Sequence, residues 1–344
     1  MLMSEPLVYI ERNRLRQLMK DKLVKAGLPE EQADKTADLL IFADERGVHS
    51  HGAVRMQYYS ERALKGGYNL KPKLSFEKTG PASGIYHGDN ALGHYVSYQA
   101  MKKAIELAKT SGIGVVGVKE MGHSGAIGYY ARQAALEGMA ALTVCQSDPM
   151  VVPFGGTEPY FGTNPIAFSA PRKDGSPILF DMATTVQAWG KILDARSKNK
   201  SIPDSWAVDK NGAPTTDPFK VNALLPMAGP KGYGLAMMVD ILSGSLLGLP
   251  FGKHVTSMYK DLSEYRRLGQ LHLVINPEYF GGKEQFLEKI SQMVEELHDN
   301  PPAEGFDKVY YPGEIQIDVM KQYKKTGIPV TKEILDYLES DKIY

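Results

Sequence analysis

The sequence predicts a mixed α/β core with helical material at both ends and a helical piece inserted between strands. Three observations support this prediction. Apolar residues recur at helical spacing in the first fifty positions, short apolar runs bounded by Gly, Pro or Asp follow from about Ser75, and the tail has a charged helical pattern. With 344 residues the chain is longer than most single domains, so two or three domains are expected.

The predicted elements can be placed in order along the chain. A first helix stops at Gly27, and a second helix follows Pro29 and ends near Gly47. Short apolar runs typical of strands lie at 112–118, 139–145, 165–170, 177–181 and 271–276. Further helices are predicted at 97–111, 126–138, 232–248, 283–299 and 331–342.

Composition narrows the class of protein. Forty basic and forty acidic residues cancel, so charge gives no argument for nucleic acid or a membrane surface as partner. Cys145 is the only cysteine, which excludes an intramolecular disulfide and fits the cytoplasm. The N-terminus lacks the apolar stretch of a signal peptide. The segment 232–252 has membrane-like length, but Asp240 and Pro250 interrupt it, so we expect a buried helix.

A glycine-rich turn follows the run 112–118 and precedes a helix and a further strand, as in a dinucleotide-binding unit. Gly122, Gly125 and Gly128 give the spacing G-x-x-G-x-x-G, whereas the Rossmann pattern is G-x-G-x-x-G. His123 also lies where backbone would need to approach a pyrophosphate. We therefore reject an ordinary Rossmann site and leave nicotinamide binding open.

His123 is itself a candidate for catalysis. A histidine on a glycine-rich turn can reach into a cleft, and its ordinary pKa suits proton transfer near neutrality. Oxidation of an alcohol needs a base that takes the hydroxyl proton while hydride leaves the same carbon. A surface or hydrogen-bonded structural histidine is the alternative on the sequence alone.

A second polar group is the tetrapeptide 49–52, His-Ser-His-Gly, followed by Arg55 and by tyrosines 58 and 59. The H-x-H spacing admits a zinc hydrolase, although no further acidic or histidine cluster completes a metal site, so none is expected. Capping of the preceding helix is a structural alternative. The third reading is a pocket for a substrate carboxylate, with Arg55 as a bidentate donor.

Several turns rich in Gly and Pro offer backbone donors and hydroxyls suited to phosphate or ribose, although each alone is an ordinary loop. Lys231, before a predicted helix, is a candidate anion ligand, and Asp181, at a strand end, could accept hydrogen bonds from ribose hydroxyls. The basic pair Arg172 and Lys173 lies before the same strand and could instead meet a phosphate.

These motifs together, in this order, resemble the malate/L-lactate dehydrogenase-like family, which is unrelated to the Rossmann lactate and malate dehydrogenases. The phrases that carry the resemblance are GVHSHGAVR, VGVKEMGHSGAI, CQSDPMVVPFGG, GTNP, FDMATTVQAWGK, DARSKNKSIPD and TSMY, and the similarity extends from Arg14 to about Tyr311. It implies an α+β fold, in which a non-Rossmann NAD-binding domain with a mostly antiparallel sheet joins a discontinuous helical bundle.

The resemblance also implies a domain division. Residues 1–74 would form the helical domain, joined by the C-terminal helices 316–344. Residues 75–200 and 268–315 would form the cofactor-binding domain, and residues 201–267 would be an inserted helical segment. The protein would be a homodimer with its active site near the subunit interface.

The functional residues that the resemblance implies fall into three groups. The catalytic candidates are His123 as base and His51, with their division of labour open. The substrate candidates are Ser50, Arg55 and Tyr59. The cofactor candidates, for NAD, are Ser147, Asp181, Met182, Ala183, Lys231, Gly313, Glu314 and Ile315.

The reaction that the resemblance implies is NAD⁺-dependent oxidation of (S)-ureidoglycolate to oxalurate. The alternatives are a dehydrogenase or reductase with NAD or NADP for another small acid (malate, lactate, sulfolactate or a diketogulonate), a zinc hydrolase, or a non-catalytic binding protein.

Overall fold

A computed structural model describes residues 6–344 of the chain. The strands are β1 Leu7–Ile10, β2 Ser75–Lys78, β3 Ser83–His87, β4 Ile113–Met121, β5 Ala140–Cys145, β6 Ile166–Ala170, β7 Ile178–Met182, β8 Ala207–Val208, β9 Ala223–Leu224, β10 Leu268–Ile275 and β11 Ile328–Thr331. The helices are α1 Arg12–Lys25, α2 Glu30–Asp44, α3 Met56–Leu64, α4 Gly93–Ser111, α5 Gly128–Leu136, α6 Trp189–Ser197, α7 Pro230–Ser243, α8 Lys283–Asp299, α9 Glu314–Thr326 and α10 Lys332–Glu339.

The largest sheet has seven strands within the described part of the chain, in the order β2-β3-β4-β10-β5-β6-β7. In this sheet β3 and β4 pair in parallel, and the other neighbouring strands are antiparallel. Strand β10 lies between β4 and β5, so the two strands that flank the glycine-rich turn are not neighbours. The expected α+β fold with a mostly antiparallel sheet is confirmed.

Helices cover both faces of the sheet. Successive side chains of a strand point to opposite faces, so the apolar residues of these strands need packing partners on each side. Val116 and Val118 of β4 belong to a core cluster with residues of α4 and α5. On the other face, Val144 of β5 and Leu271 of β10 pack with Val239 of α7. Full burial of an aliphatic side chain of this size stabilises the fold by roughly 1.5–3 kcal/mol.

Helix α7 lies where a helix was predicted, but only one of its faces is buried, because Met237, Met238 and Ile241 are exposed, and it ends earlier than expected. It stops at Ser243 rather than near residue 248, and a 3₁₀ turn, Ser245–Leu247, follows. Asp240 is buried and its Oδ2 accepts a hydrogen bond from the Gly252 backbone N–H at 2.9 Å. Among residues 6–344, no helix has the length and apolar character needed to cross a membrane.

The two ends of the described chain meet in a separate layer. Strand β1 pairs antiparallel with β11, with Ile10 opposite Ile328. A second core cluster joins residues of α1, α2 and α3 to Leu338 of α10. We retain the division at residues 74, 200, 267 and 315 as a proposal, which this clustering of early and late helices favours. Residues 1–5 of the proposed first domain lie outside the described residues.

The five predicted strands and the early helices are confirmed, with ends that shift by a few residues. Patterning did not predict β1, β2, β3, β8, β9 and β11, nor helices α3, α6 and α9. The segment 201–267 contains the short ribbon of β8 and β9 besides α7.

Candidate active site

A cleft of about 920 Å³ brings together most of the predicted site residues. One wall comes from the two 3₁₀ turns between α2 and α3, His49–His51 and Ala53–Arg55, and another from the turn that carries His123. The end of β7 and the segment before α9 complete it. A pocket of this size is at the upper end of the roughly 300–1,000 Å³ usual for ligand sites.

His123 lies in the turn that joins β4 to α5. The turn depends on Gly125, which has φ +70°, and a Cβ there would lie 2.8 Å from His94 Nε2 and 2.5 Å from Leu39 Cδ2. A side chain at this position would therefore be strained and would also displace the packing that supports His123.

The Nδ1 atom of His123 lies 2.8 Å from the hydroxyl of Tyr59. Tyr59 is fully buried, so it supports the imidazole from behind instead of facing the cleft. If the tyrosine oxygen accepts from Nδ1–H, the Nε2 lone pair is left to take a proton. If the hydroxyl donates to Nδ1, a proton is left on Nε2 to give. The Gly125 N–H, 3.3 Å from Nδ1, favours the second arrangement.

His51 is placed by the 3₁₀ turn that follows α2. Asp44, at the end of α2, holds this turn: it accepts hydrogen bonds from the Ala53 N–H at 2.7 Å and from His49 Nδ1 at 2.9 Å. The imidazole of His51 lies over that of His123, with ring centroids 6.0 Å apart and planes inclined by 20°. His51 therefore faces the cleft while His49 is directed at Asp44, so the H-x-H pair does not converge.

Both histidines of the cleft are held neutral. Desolvation lowers the pKa of His51 to about 4, and the positive charge of Arg55 acts in the same direction. Desolvation, followed by His51 and Arg55, lowers the pKa of His123 well below its ordinary value. Each imidazole is therefore neutral near pH 7 and has a lone pair available for a proton.

Arg55 completes the polar wall. Its Nε donates to the Ser50 carbonyl oxygen at 2.7 Å and its Nη1 donates to the Tyr259 hydroxyl at 3.0 Å. The Ser50 hydroxyl in turn lies 3.0 Å from His51 Nδ1. Because a guanidinium has five N–H donors, three remain for a carboxylate beside the imidazoles.

Comparison of the sequence with known protein families agrees with the resemblance that the motifs indicated. A family model described as malate/L-lactate dehydrogenase matches residues 10–339. The chain belongs to the malate/L-lactate dehydrogenase family. It is 57% identical to a ureidoglycolate dehydrogenase (NAD(+)) of Escherichia coli O157:H7, over 97% of this chain and 96% of that protein. It is 41% identical to a malate dehydrogenase of Pyrococcus horikoshii, over 97% and 95% of the two chains.

Solved structures of the malate/L-lactate dehydrogenase family have the same fold. The sulfolactate dehydrogenase of Methanocaldococcus jannaschii superposes with a TM-score of 0.90 at 38% identity, covering 96% of each chain. The family resemblance predicted from the motifs is therefore confirmed.

The residues predicted to bind the cofactor in this member of the malate/L-lactate dehydrogenase family divide into two groups. Those that line the cleft are Ser147, Asp181, Met182, Ala183 and Gly313. Lys231 lies outside it, exposed on the first turn of α7. The Glu314 carboxylate is directed away, at His298 and Lys308, and the exposed side chain of Ile315 does not line the cleft.

Asp181 is held at the N-terminus of α5. Its Oδ2 accepts a hydrogen bond from the Gly128 N–H at 2.7 Å, while Oδ1 has no hydrogen-bond partner within residues 6–344. Asp181 lines the cleft, and desolvation by the surrounding protein raises its pKa to about 6, partly offset by the hydrogen bond from the Gly128 N–H. One oxygen is thus free to accept from a ligand hydroxyl.

The cleft also contains charged residues that the sequence patterns did not single out. Arg46 and Arg132 line it, and both guanidiniums lie near the ring of Phe42, at 4.0 and 5.9 Å from its centroid. On the sequence these arginines resemble the solvated face of a helix. Tyr259 also lines the cleft; it belongs to the phrase TSMY that carries the family resemblance, but the sequence analysis assigned it no role.

Proposed function

We propose that the protein is an NAD⁺-dependent dehydrogenase that oxidises (S)-ureidoglycolate to oxalurate, a step in the breakdown of allantoin. The observation that carries the proposal is the meeting of Ser50, His51, Arg55 and His123 in one cleft of a chain that is 57% identical to a ureidoglycolate dehydrogenase. The reaction removes a hydride from the hydroxyl-bearing carbon and a proton from its hydroxyl. NAD⁺, when bound, supplies the hydride acceptor.

The side chains of the cleft can perform the remaining steps. Arg55 pairs with the substrate carboxylate and so orients the hydroxyl-bearing carbon. His123 takes the hydroxyl proton at Nε2 in the tautomer whose Nδ1–H donates to the Tyr59 hydroxyl. The other tautomer, which the Gly125 N–H favours, carries the proton on Nε2 and is the acid for the reverse reaction, so oxidation requires the ring to change tautomer first. The neighbouring imidazole of His51 is the second candidate for this proton, because it lies over the His123 ring and has a lowered pKa.

The cleft also fits a nicotinamide dinucleotide. The free Oδ1 of Asp181 suits a ribose hydroxyl. Gly313 lets its backbone pack closely against β7, the strand that carries Asp181: it has φ +93°, and a Cβ there would lie 2.6 Å from the Leu179 carbonyl oxygen. Ser147, Met182 and Ala183 are the other cofactor contacts that we propose on this side.

The function is tested by the rate of NADH formation with a panel of 2-hydroxy acids. We expect the highest kcat/KM for (S)-ureidoglycolate among ureidoglycolate, malate, lactate and sulfolactate. A higher kcat/KM for any of the other acids would replace the proposed substrate with that acid, within the same reaction class.

NAD⁺ is expected to be preferred over NADP⁺ by at least about tenfold in kcat/KM, since a carboxylate beside the ribose repels the 2′-phosphate. The basic pair before β7 does not oppose this. Lys173 pairs with Glu288 at 3.0 Å, and Arg172 donates to the Tyr311 hydroxyl at 2.6 Å. The same substrate is assayed with both cofactors, and an NADP⁺ preference would mean that Asp181 does not meet the ribose.

We also propose a homodimer, supported by the outer face of α7. Met237, Met238 and Ile241 are 36%, 38% and 49% exposed on this face, and exposed apolar patches commonly mark interfaces. Lys231 begins the same helix outside the cleft of its own chain, which suits a site completed by a second copy.

Light scattering is expected to give twice the mass of one chain, and Ile241→Glu is expected to give a monomer because it would bury a charge. The control is Leu136→Glu, which alters a similarly exposed residue at the end of α5. A monomeric wild-type protein with full activity would contradict the dimer.

We propose that the protein is located in the cytoplasm, where NAD⁺ is available and where its single, buried cysteine would stay reduced, without a disulfide.

A further inference from the structure

The loop 256–267 forms the wall of the cleft that faces Arg55. It connects the 3₁₀ turn Gly252–His254 to β10 and contains no helix or strand of its own. Tyr259 in this loop lines the cleft, is 48% exposed, and accepts a hydrogen bond from Arg55 Nη1 at 3.0 Å. The orientation of a predicted substrate ligand therefore depends on a residue of an irregular segment.

A buried carboxylate fixes this loop at two points. Asp148 Oδ2 accepts from the Met258 backbone N–H at 3.0 Å, and Oδ1 accepts from Arg266 Nη2 at 3.0 Å. The side chains of Asp148 and Arg266 are 7% and 1% exposed. Asp148 thus links the residue before Tyr259 to the far end of the loop.

A second buried residue also holds Met258, through the next peptide group. Arg62 of α3 donates from Nη1 to the Met258 carbonyl oxygen at 3.4 Å and from Nη2 to the Glu264 carbonyl oxygen. Met258 is therefore held at its N–H by Asp148 and at its C=O by Arg62. With both peptide groups fixed, the backbone that carries Tyr259 has little freedom to rotate.

We propose that Asp148 is a positioning residue for the substrate half of the cleft, which holds Tyr259 beside Arg55 through its bonds to Met258 and Arg266. The inference rests on the proposed function, since it takes Arg55 as the ligand of the substrate carboxylate. The Tyr259 hydroxyl, which accepts from Arg55, keeps its own proton free to donate to a substrate oxygen. Asp148 also lines the cleft, but its proposed role is exerted through the loop and requires no contact with substrate.

The test is a double-mutant cycle with Asp148→Asn and Tyr259→Phe. The asparagine keeps the size of the side chain but ends the ion pair with Arg266, and the phenylalanine removes the hydroxyl that Arg55 meets. Each single variant is expected to raise KM for ureidoglycolate about tenfold, the loss typical of one hydrogen bond to a charged group. The NADH dissociation constant, measured by fluorescence, should stay within about twofold.

Because Asp148 acts through Tyr259, the KM of the double variant should be no higher than that of the single variant with the higher KM. Multiplied increases in KM, or an unchanged KM in a folded Asp148→Asn protein, would overturn the inference. Asp240→Asn is the matched control, because Asp240 is also buried and also accepts a backbone N–H, from Gly252 just before the loop, but does not line the cleft. An equal rise in KM for this control would likewise overturn it.

Arg266→Lys gives a second route if Asp148→Asn does not fold. The lysine keeps the positive charge but loses the planar fork, so a smaller rise in KM is expected. An unchanged KM in this variant contradicts the proposal. Turnover of the wild-type protein on the substrate panel tests the proposed function, whereas the ratio of variant to wild-type KM tests the role of Asp148, so the two can fail separately.

Discussion

Replacement of His123 by alanine is expected to lower kcat for ureidoglycolate oxidation by about 10²–10⁴-fold, the range usual for loss of a general acid or base. Among the described residues that line the cleft, His123 is the only one that has both a lowered pKa and a fully buried hydrogen-bond partner, which is Tyr59 at Nδ1. The measurement is steady-state kinetics at saturating substrate, with NADH binding followed by fluorescence.

His87→Ala is the control for this variant, because His87 lies on β3 beside Glu77, away from the cleft. Its kcat should match that of the wild-type protein. A His123→Ala protein that retains nearly full kcat would move the base to His51. If it also loses NADH binding, the histidine contacts the cofactor or supports the fold.

The pH dependence of kcat/KM also tests the assignment of His123 as the base, because the direction of its pKa shift predicts where activity is lost. Burial lowers the pKa of His123, so the neutral, proton-accepting form persists to pH values below the ordinary 6.5. kcat/KM should therefore be level from about pH 7 down past 6.5 and fall only at more acidic pH, as the imidazole takes up a proton. The profile of the Tyr59→Phe variant should be displaced, because the hydroxyl that partners Nδ1 is gone.

The glycine-rich turn and the two histidines could be found from the sequence because local residue chemistry marks them. The five apolar strands were found for the same reason, since a run bounded by Gly, Pro or Asp is a local signal. Pairing of β1 with β11 joins residues from the two ends of the chain, and no local pattern encodes such a contact.

The position of Tyr59 shows a different limit of sequence analysis. Its place in the motif implied a substrate contact, yet the structure buries it behind His123. Which face of α3 it occupies follows from tertiary packing on α1 and α2, which the motif does not specify. Asp148, Met258 and Arg266 converge through long-range contacts from two loops, so their link also had no sequence signal.

Replacement of Arg55 by lysine is expected to raise KM for ureidoglycolate by roughly 10–100-fold, while the NADH dissociation constant changes little. The loss corresponds to one charge-assisted hydrogen bond, about 1.5–3 kcal/mol. The guanidinium already donates to the Ser50 carbonyl and the Tyr259 hydroxyl and still has donors left for a carboxylate. A lysine ammonium has three donors on a flexible stem and cannot hold both partners and a bidentate ligand at once.

Arg172→Lys is the matched control for Arg55→Lys, because Arg172 also donates to a tyrosine hydroxyl, that of Tyr311, but does not line the cleft. Steady-state kinetics of the two variants separate loss of substrate binding from a general effect of the substitution. Arg172→Lys should leave KM within about twofold of the wild-type value, since a hydrogen bond outside the cleft contributes to the stability of the fold and not to substrate binding. An unchanged KM in Arg55→Lys would remove Arg55 from the substrate pocket. In that case Arg46 or Arg132 is the expected ligand of the carboxylate, because the cleft contains no other Arg or Lys side chain among the described residues.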